Sequence, residues 1–129
     1  MKKLFLLCFV LFSFSTLAYE EIWKLGDHFI PMEKNEEKDL LISKSCSTRP
    51  CDAMNILHKV TMKNIDAEKL IGGKNPGAVL CTEKTKGRIL YMKDLSGNEN
   101  TFCFFKDKSM VSTGTLSLHA AKNDKVKKK

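Results

Sequence analysis

The chain contains no glycine-flanked serine, no His-Glu-x-x-His segment, no phosphate-binding loop and no glycine-rich dinucleotide loop. The local signatures of serine hydrolases, zinc peptidases and nucleotide-binding enzymes are therefore missing. Histidine is scarce: His28, His58 and His119 stand in unrelated segments without a serine or cysteine motif beside them. Carboxylates are scattered among lysines, so no pair is singled out for glycosidase-type acid–base work. After residue 18 no apolar run is long enough to cross a bilayer. The body of the chain also lacks an excess of either charge. Residues 19–120 hold 15 basic and 14 acidic groups, which argues against a nucleic-acid surface built from basic residues interleaved with aromatics.

What is present begins with an export signal. Lys2 and Lys3 precede the apolar stretch Leu4 to Phe14, and Thr16-Leu17-Ala18 place small residues before a cut after Ala18. Residues 1–18 are therefore expected to be a signal peptide, and the mature chain periplasmic or secreted. Cys8 lies inside the apolar stretch, where Phe5-Leu6-Leu7 do not make a lipidation site, so no lipid anchor is expected. Residues 121–129 carry five lysines and one acid, Asp124. Their composition predicts a solvated, disordered basic tail, at most drawn weakly to anionic surfaces. Residues 19–120 are long enough for a single domain.

Within that domain Tyr19 to Met32 mixes Ile22, Trp23, Leu25, Phe29 and Ile30 around Gly26-Asp27, which predicts a strand pair. Asp39 to Ser45 predicts a short strand through Leu40-Leu41-Ile42. A helix should follow Cys51, where Asp52 suits its start and Ala53, Ile56, Leu57 and Val60 recur at helical spacing. Asn64 to Gly73 reads as a helical turn. Asn75-Pro76 opens a second helix carrying Val79, Leu80 and Cys81, with Gly87 as a left-handed cap. Arg88 to Lys93, Thr101 to Phe105 and Ser109 to Leu118 predict three more strands separated by turns. The fold class expected is α+β: one or two helices on a small antiparallel sheet, stapled by disulfides.

Four cysteines in an exported chain allow three pairings. Cys46 and Cys51 are close enough to close a tight loop, and Cys81–Cys103 would tie the second helix to a strand; this is the preferred framework. The four-residue spacing between Cys46 and Cys51 is not that of a thioredoxin-like redox pair. Cys46, Cys51 and His58 could be drawn as metal ligands, but zinc needs a fourth and no second cluster is near. No catalytic residue, metal or cofactor is therefore assigned. Tyr91, Phe102, Phe104 and Phe105 read as core aromatics. Trp23 is the aromatic expected to be partly exposed, and Arg49, in the loop Ser47-Thr48-Arg49-Pro50, is the natural partner contact.

Asn75-Pro76-Gly77-Ala78-Val79-Leu80-Cys81, the turn Asp94…Gly97-Asn98, and Cys103-Phe104-Phe105-Lys106-Asp107-Lys108-Ser109 occur in that order. Residues 73–118 thereby resemble a family of small exported bacterial domains of unknown function, some of which carry a haemolysin label. The resemblance implies a helix packed on an antiparallel sheet, with Cys81 and Cys103 bridged. Lys108 stands where the family usually has glycine. Ser112-Thr113-Gly114-Thr115 replace an acidic-then-tryptophan segment.

Together these features point to an exported, non-enzymatic, disulfide-stabilised module that binds a protein or envelope component, with an inhibitor-like use of the Arg49 loop as one form of it. A small envelope enzyme and a membrane-active protein are the alternatives. The chain lacks a strongly amphipathic cationic helix, which weighs against the last.

Overall fold

The structure, a computed structural model, describes residues 17–128. The expected signal segment, apart from Leu17 and Ala18, lies outside the described residues, as does Cys8. Six strands form the sheet: β1 (Tyr19–Leu25), β2 (His28–Asn35), β3 (Leu40–Ser43), β4 (Arg88–Asp94), β5 (Glu99–Phe104) and β6 (Met110–Ser112). Three helices accompany them: α1 (Asp52–Leu57), α2 (Pro76–Lys84) and α3 (Thr113–Val126). Single-turn 3-10 helices at Lys44–Ser47 and Ala67–Leu70 fill the long connection from β3 to β4.

The strands close into a barrel in the order β1-β2-β3-β6-β5-β4. It is made of two antiparallel meanders, β1-β2-β3 and β4-β5-β6. They join along β1·β4, through Trp23↔Asp94 and Lys24↔Lys93, and along β3·β6, through Ile42↔Val111. This corrects the expected open α+β sheet. The strands themselves were readable from local alternation, but closure depends on two short long-range seams that leave no local pattern.

Side-chain hydroxyls supplement the shorter seam. Ser43 Oγ accepts from Met110 N–H at 2.8 Å, and Thr115 Oγ1 accepts from Leu41 N–H at 2.9 Å. These bonds tie β3 to β6 and to the start of α3 beyond the one paired position. They also satisfy backbone groups that burial would otherwise leave costly.

The core is divided by the barrel wall. Trp23, Met32, Leu41, Met92, Phe102 and Met110 fill the interior. Leu40, Ile42, Cys103 and Val111 point outward and are covered by Leu57, Leu80, Cys81, Leu116 and Ala120 of the helices. Strands apolar on both faces are what a wall packed on both sides requires. The helices pack on β3 to β6.

Two local expectations also change. Ser109 to Leu118 is not one strand: β6 is three residues long, and Ser112 Oγ then accepts from Thr115 N–H at 3.1 Å to cap α3. Thr113 and Gly114 are weak helix formers, which hides this start. The expected disordered tail from residue 121 is helical through Val126. Asn123 Nδ2 donates to the carbonyls of Leu57 and Val60 at 2.9 and 2.8 Å. Asp124 Oδ2 accepts from Met62 N–H at 2.9 Å. Two polar side chains thus satisfy free backbone groups around the end of α1, which the lysine-rich composition masks.

Candidate functional site

The Asn-Pro-Gly motif builds the scaffold. Asn75 Oδ1 accepts from Gly77 and Ala78 N–H, while its Nδ2 donates to Thr113 Oγ1 at 2.8 Å. Pro76 occupies the first helical position, where a missing N–H costs nothing. Gly77 has no side chain because a β-carbon there would overlap the Thr113 carbonyl. Thr113, fully buried, shares a 2.6 Å hydrogen bond with Thr101 on β5. One motif therefore locks α2, α3 and β5 together.

All four cysteines among the described residues are oxidised, as Cys46–Cys51 and Cys81–Cys103. The preferred pairing is the one present, and neither pair offers a thiol. Cys81–Cys103 is buried between α2 and β5. Gly87 does not have the expected left-handed conformation; a β-carbon there would overlap Cys103 Sγ, so close approach to the bridge is what demands glycine. Lys108 does have a left-handed φ, +69°.

The loop with Arg49 is exposed, as expected. Its backbone coils back on itself, with Thr48 and Arg49 N–H both donating to Ser45 O. It therefore offers side chains rather than an extended strand. Asp107 anchors the base: it accepts from Asp52 N–H at 2.8 Å and from Ser109 N–H and Oγ at 2.9 and 2.6 Å. Partial burial pushes the Asp107 carboxyl up, but the hydrogen bonds from Ser109 and Asp52, with Arg49 nearby, outweigh it and hold it below the usual range.

Trp23 is not the exposed contact expected of it. It is 6 % exposed, inside the barrel, edge-on to Phe102 with ring centroids 5.0 Å apart. Tyr91 is displaced the other way: expected in the core with Phe102 and Phe105, it is 63 % exposed. Inward Met92 and Leu90 place Tyr91 and Lys93 on the outer face of β4.

That outer face carries the most distinctive surface. A straight cross-strand row runs Phe29, Lys24, Lys93, Glu99 over β2, β1, β4 and β5. Phe29 and Leu95 are 63 % and 69 % exposed. Lys24 Nζ stands over the Phe29 ring at 5.5 Å. Beside the row is a hollow of about 380 Å³ lined by Lys24, Gly26, Tyr91, Lys93, Asp94, Leu95, Gly97 and Glu99. Asp94 is committed to its own turn, accepting from Ser96 and Asn98 N–H and from Asn98 Nδ2, each at 2.9 Å. The Asn98 side-chain bond leads in lowering its carboxyl pKa.

A second hollow, about 520 Å³, lies between the β2–β3 turn and helices α1 and α3, lined by Glu33, Glu37, Lys38, His58, His119 and Lys122, among others. His119 Nε2 is 3.0 Å from Lys38 O, and Lys122 pairs with Asp39, lowering its carboxyl pKa. Among the described residues no His, Cys, Asp and Glu converge as a metal site. His58 lines this hollow rather than meeting Cys46 and Cys51, which are bonded to each other. No protein-family model, curated protein or solved structure matches the chain.

Proposed function

We propose that the mature chain is an exported binding module that docks a partner protein on the wall formed by Phe29, Lys24, Lys93, Tyr91 and Leu95. The observation carrying this reading is that three large apolar side chains stand exposed beside the hollow or in the adjoining row, next to Lys24 and Lys93, which form no ion pair among the described residues. Exposed apolar groups clustered with polar neighbours are what a docking face presents. The barrel interior is occupied by side chains, so the outer face is where a ligand has room. Two disulfides agree with folding in an oxidising compartment, in keeping with export through residues 1–18.

The haemolysin label carries no residue-level mechanism, and the two wall lysines, Lys24 and Lys93, fall short of the basic cluster that a membrane-binding surface uses. The inhibitor-like reading of the Arg49 loop is less favoured, because its turned backbone cannot pair with an extended partner segment.

Capture of partners by the tagged mature protein from its own periplasm or medium tests the reading. A partner retained by the wild type and by Arg49→Ala, but lost with Tyr91→Ala, is the expected result. Loss with Arg49→Ala and retention by Tyr91→Ala would move the site to the disulfide loop.

A further inference from the structure

Resting on that reading, we infer the chemistry of the partner: the wall takes an acidic polypeptide segment bearing an apolar side chain, with carboxylates against Lys24 and Lys93 and the apolar group between Tyr91 and Leu95. Lys24 and Lys93 face each other directly in the β1·β4 register, and like charges in that position oppose pairing. The other like-charged pair on this side of the barrel, Glu20↔Glu33, is relieved by an ion pair from Lys44 to Glu20. Among the described residues no such ion pair relieves Lys24 or Lys93. Glu99 is opposite Lys93 in the register without coming within ion-pair distance, and the Asp94 carboxylate is held in its turn. A cationic pair in the narrow closing seam of the barrel is thus left for an incoming anion.

The same row argues against a second copy of this chain. Two-fold pairing of Phe29–Lys24–Lys93–Glu99 with itself, centred on the β1·β4 seam, would bring lysine against lysine. A long polyanion is disfavoured for another reason. Residues 19–120 are nearly neutral overall, so the extended basic field that such polymers exploit is missing. Phe29 and Leu95 also carry no hydrogen-bonding group. They reward an apolar side chain more than a sugar or phosphate.

Fluorescence anisotropy with four probes tests this: a labelled acidic peptide with a central Leu-Phe pair, the same peptide with Gly-Ser there, polyglutamate, and phosphatidylglycerol vesicles. Binding of the first probe should exceed that of the others and weaken with salt. Lys24→Glu/Lys93→Glu and Tyr91→Ala should each weaken it by roughly tenfold or more. These side chains are exposed, and an unchanged thermal melt will show that the variants are folded. Failure of the Leu-Phe peptide to bind, equal binding of polyglutamate, wall-dependent vesicle binding, or indifference to the substitutions would each overturn the inference. Capture of a full-length partner that depends on Tyr91 would stand apart from these results, so the docking face can survive the loss of this partner chemistry.

Discussion

Gly77, in the first turn of α2, lies against the backbone carbonyl of Thr113 at the start of α3, with no room for a β-carbon between them. Gly77→Ala should therefore cost about 3 kcal/mol or more. The clash is with main chain that cannot swing away, which places it at or above the upper end of the usual overpacking range. Denaturant unfolding with both disulfides intact measures this, and a loss below about 1 kcal/mol would mean that the two helices separate easily.

Thr115→Val retains shape and removes the acceptor for Leu41 N–H across the β3·β6 seam. A buried donor left unpaired costs about 1–3 kcal/mol. Amide exchange at Leu41 should accelerate along with the loss of stability. An unchanged Leu41 exchange rate would show that the hydroxyl does not hold the seam.

Asn123→Ala should cost about 1–3 kcal/mol, since it strips donors from the carbonyls of Leu57 and Val60. Truncation after Ala120 should cost at least as much, because the bond from Met62 N–H to Asp124 is lost too. Melts of the two variants check this. A neutral truncation would restore the reading of residues 121–129 as a solvated tail.

The legible parts of this fold were those with local causes. Asn75-Pro76 marked a helix start because its cap bonds reach only to residues 77 and 78. Thr101 to Phe105 read as a strand, and β5 sends the adjacent Phe102 and Cys103 to opposite faces, as a two-residue period requires. What escaped were consequences of distant pairing. Nothing near Trp23 indicates that β4 will close over it, and nothing near Tyr91 indicates that its side of β4 stays bare beyond the helices. The candidate wall is assembled from four strands of two meanders, and so was not visible in any one segment.

Asp107 connects the disulfide loop to pH. Its folded pKa is depressed, so its contribution is present above the unfolded value, about 3.9, and disappears as pH falls through the lower folded one. Stability should drop with acidification below about pH 4, and Asp107→Asn should flatten that part of the profile. Unfolding midpoints measured from pH 2 to 6, roughly the range over which carboxylates titrate, provide the check. An unaltered acid limb in the variant would show that Asp107 does not contribute to acid sensitivity.

The location of the docking face is tested most directly by amide hydrogen exchange with and without a captured partner. Protection concentrated in β1 through the start of β2 and in Tyr91 to Glu99, with little change in Ser47 to Pro50 or around His58 and His119, is the predicted result. Protection centred on the Arg49 loop or on the histidine-lined hollow, with the wall unchanged, would contradict it.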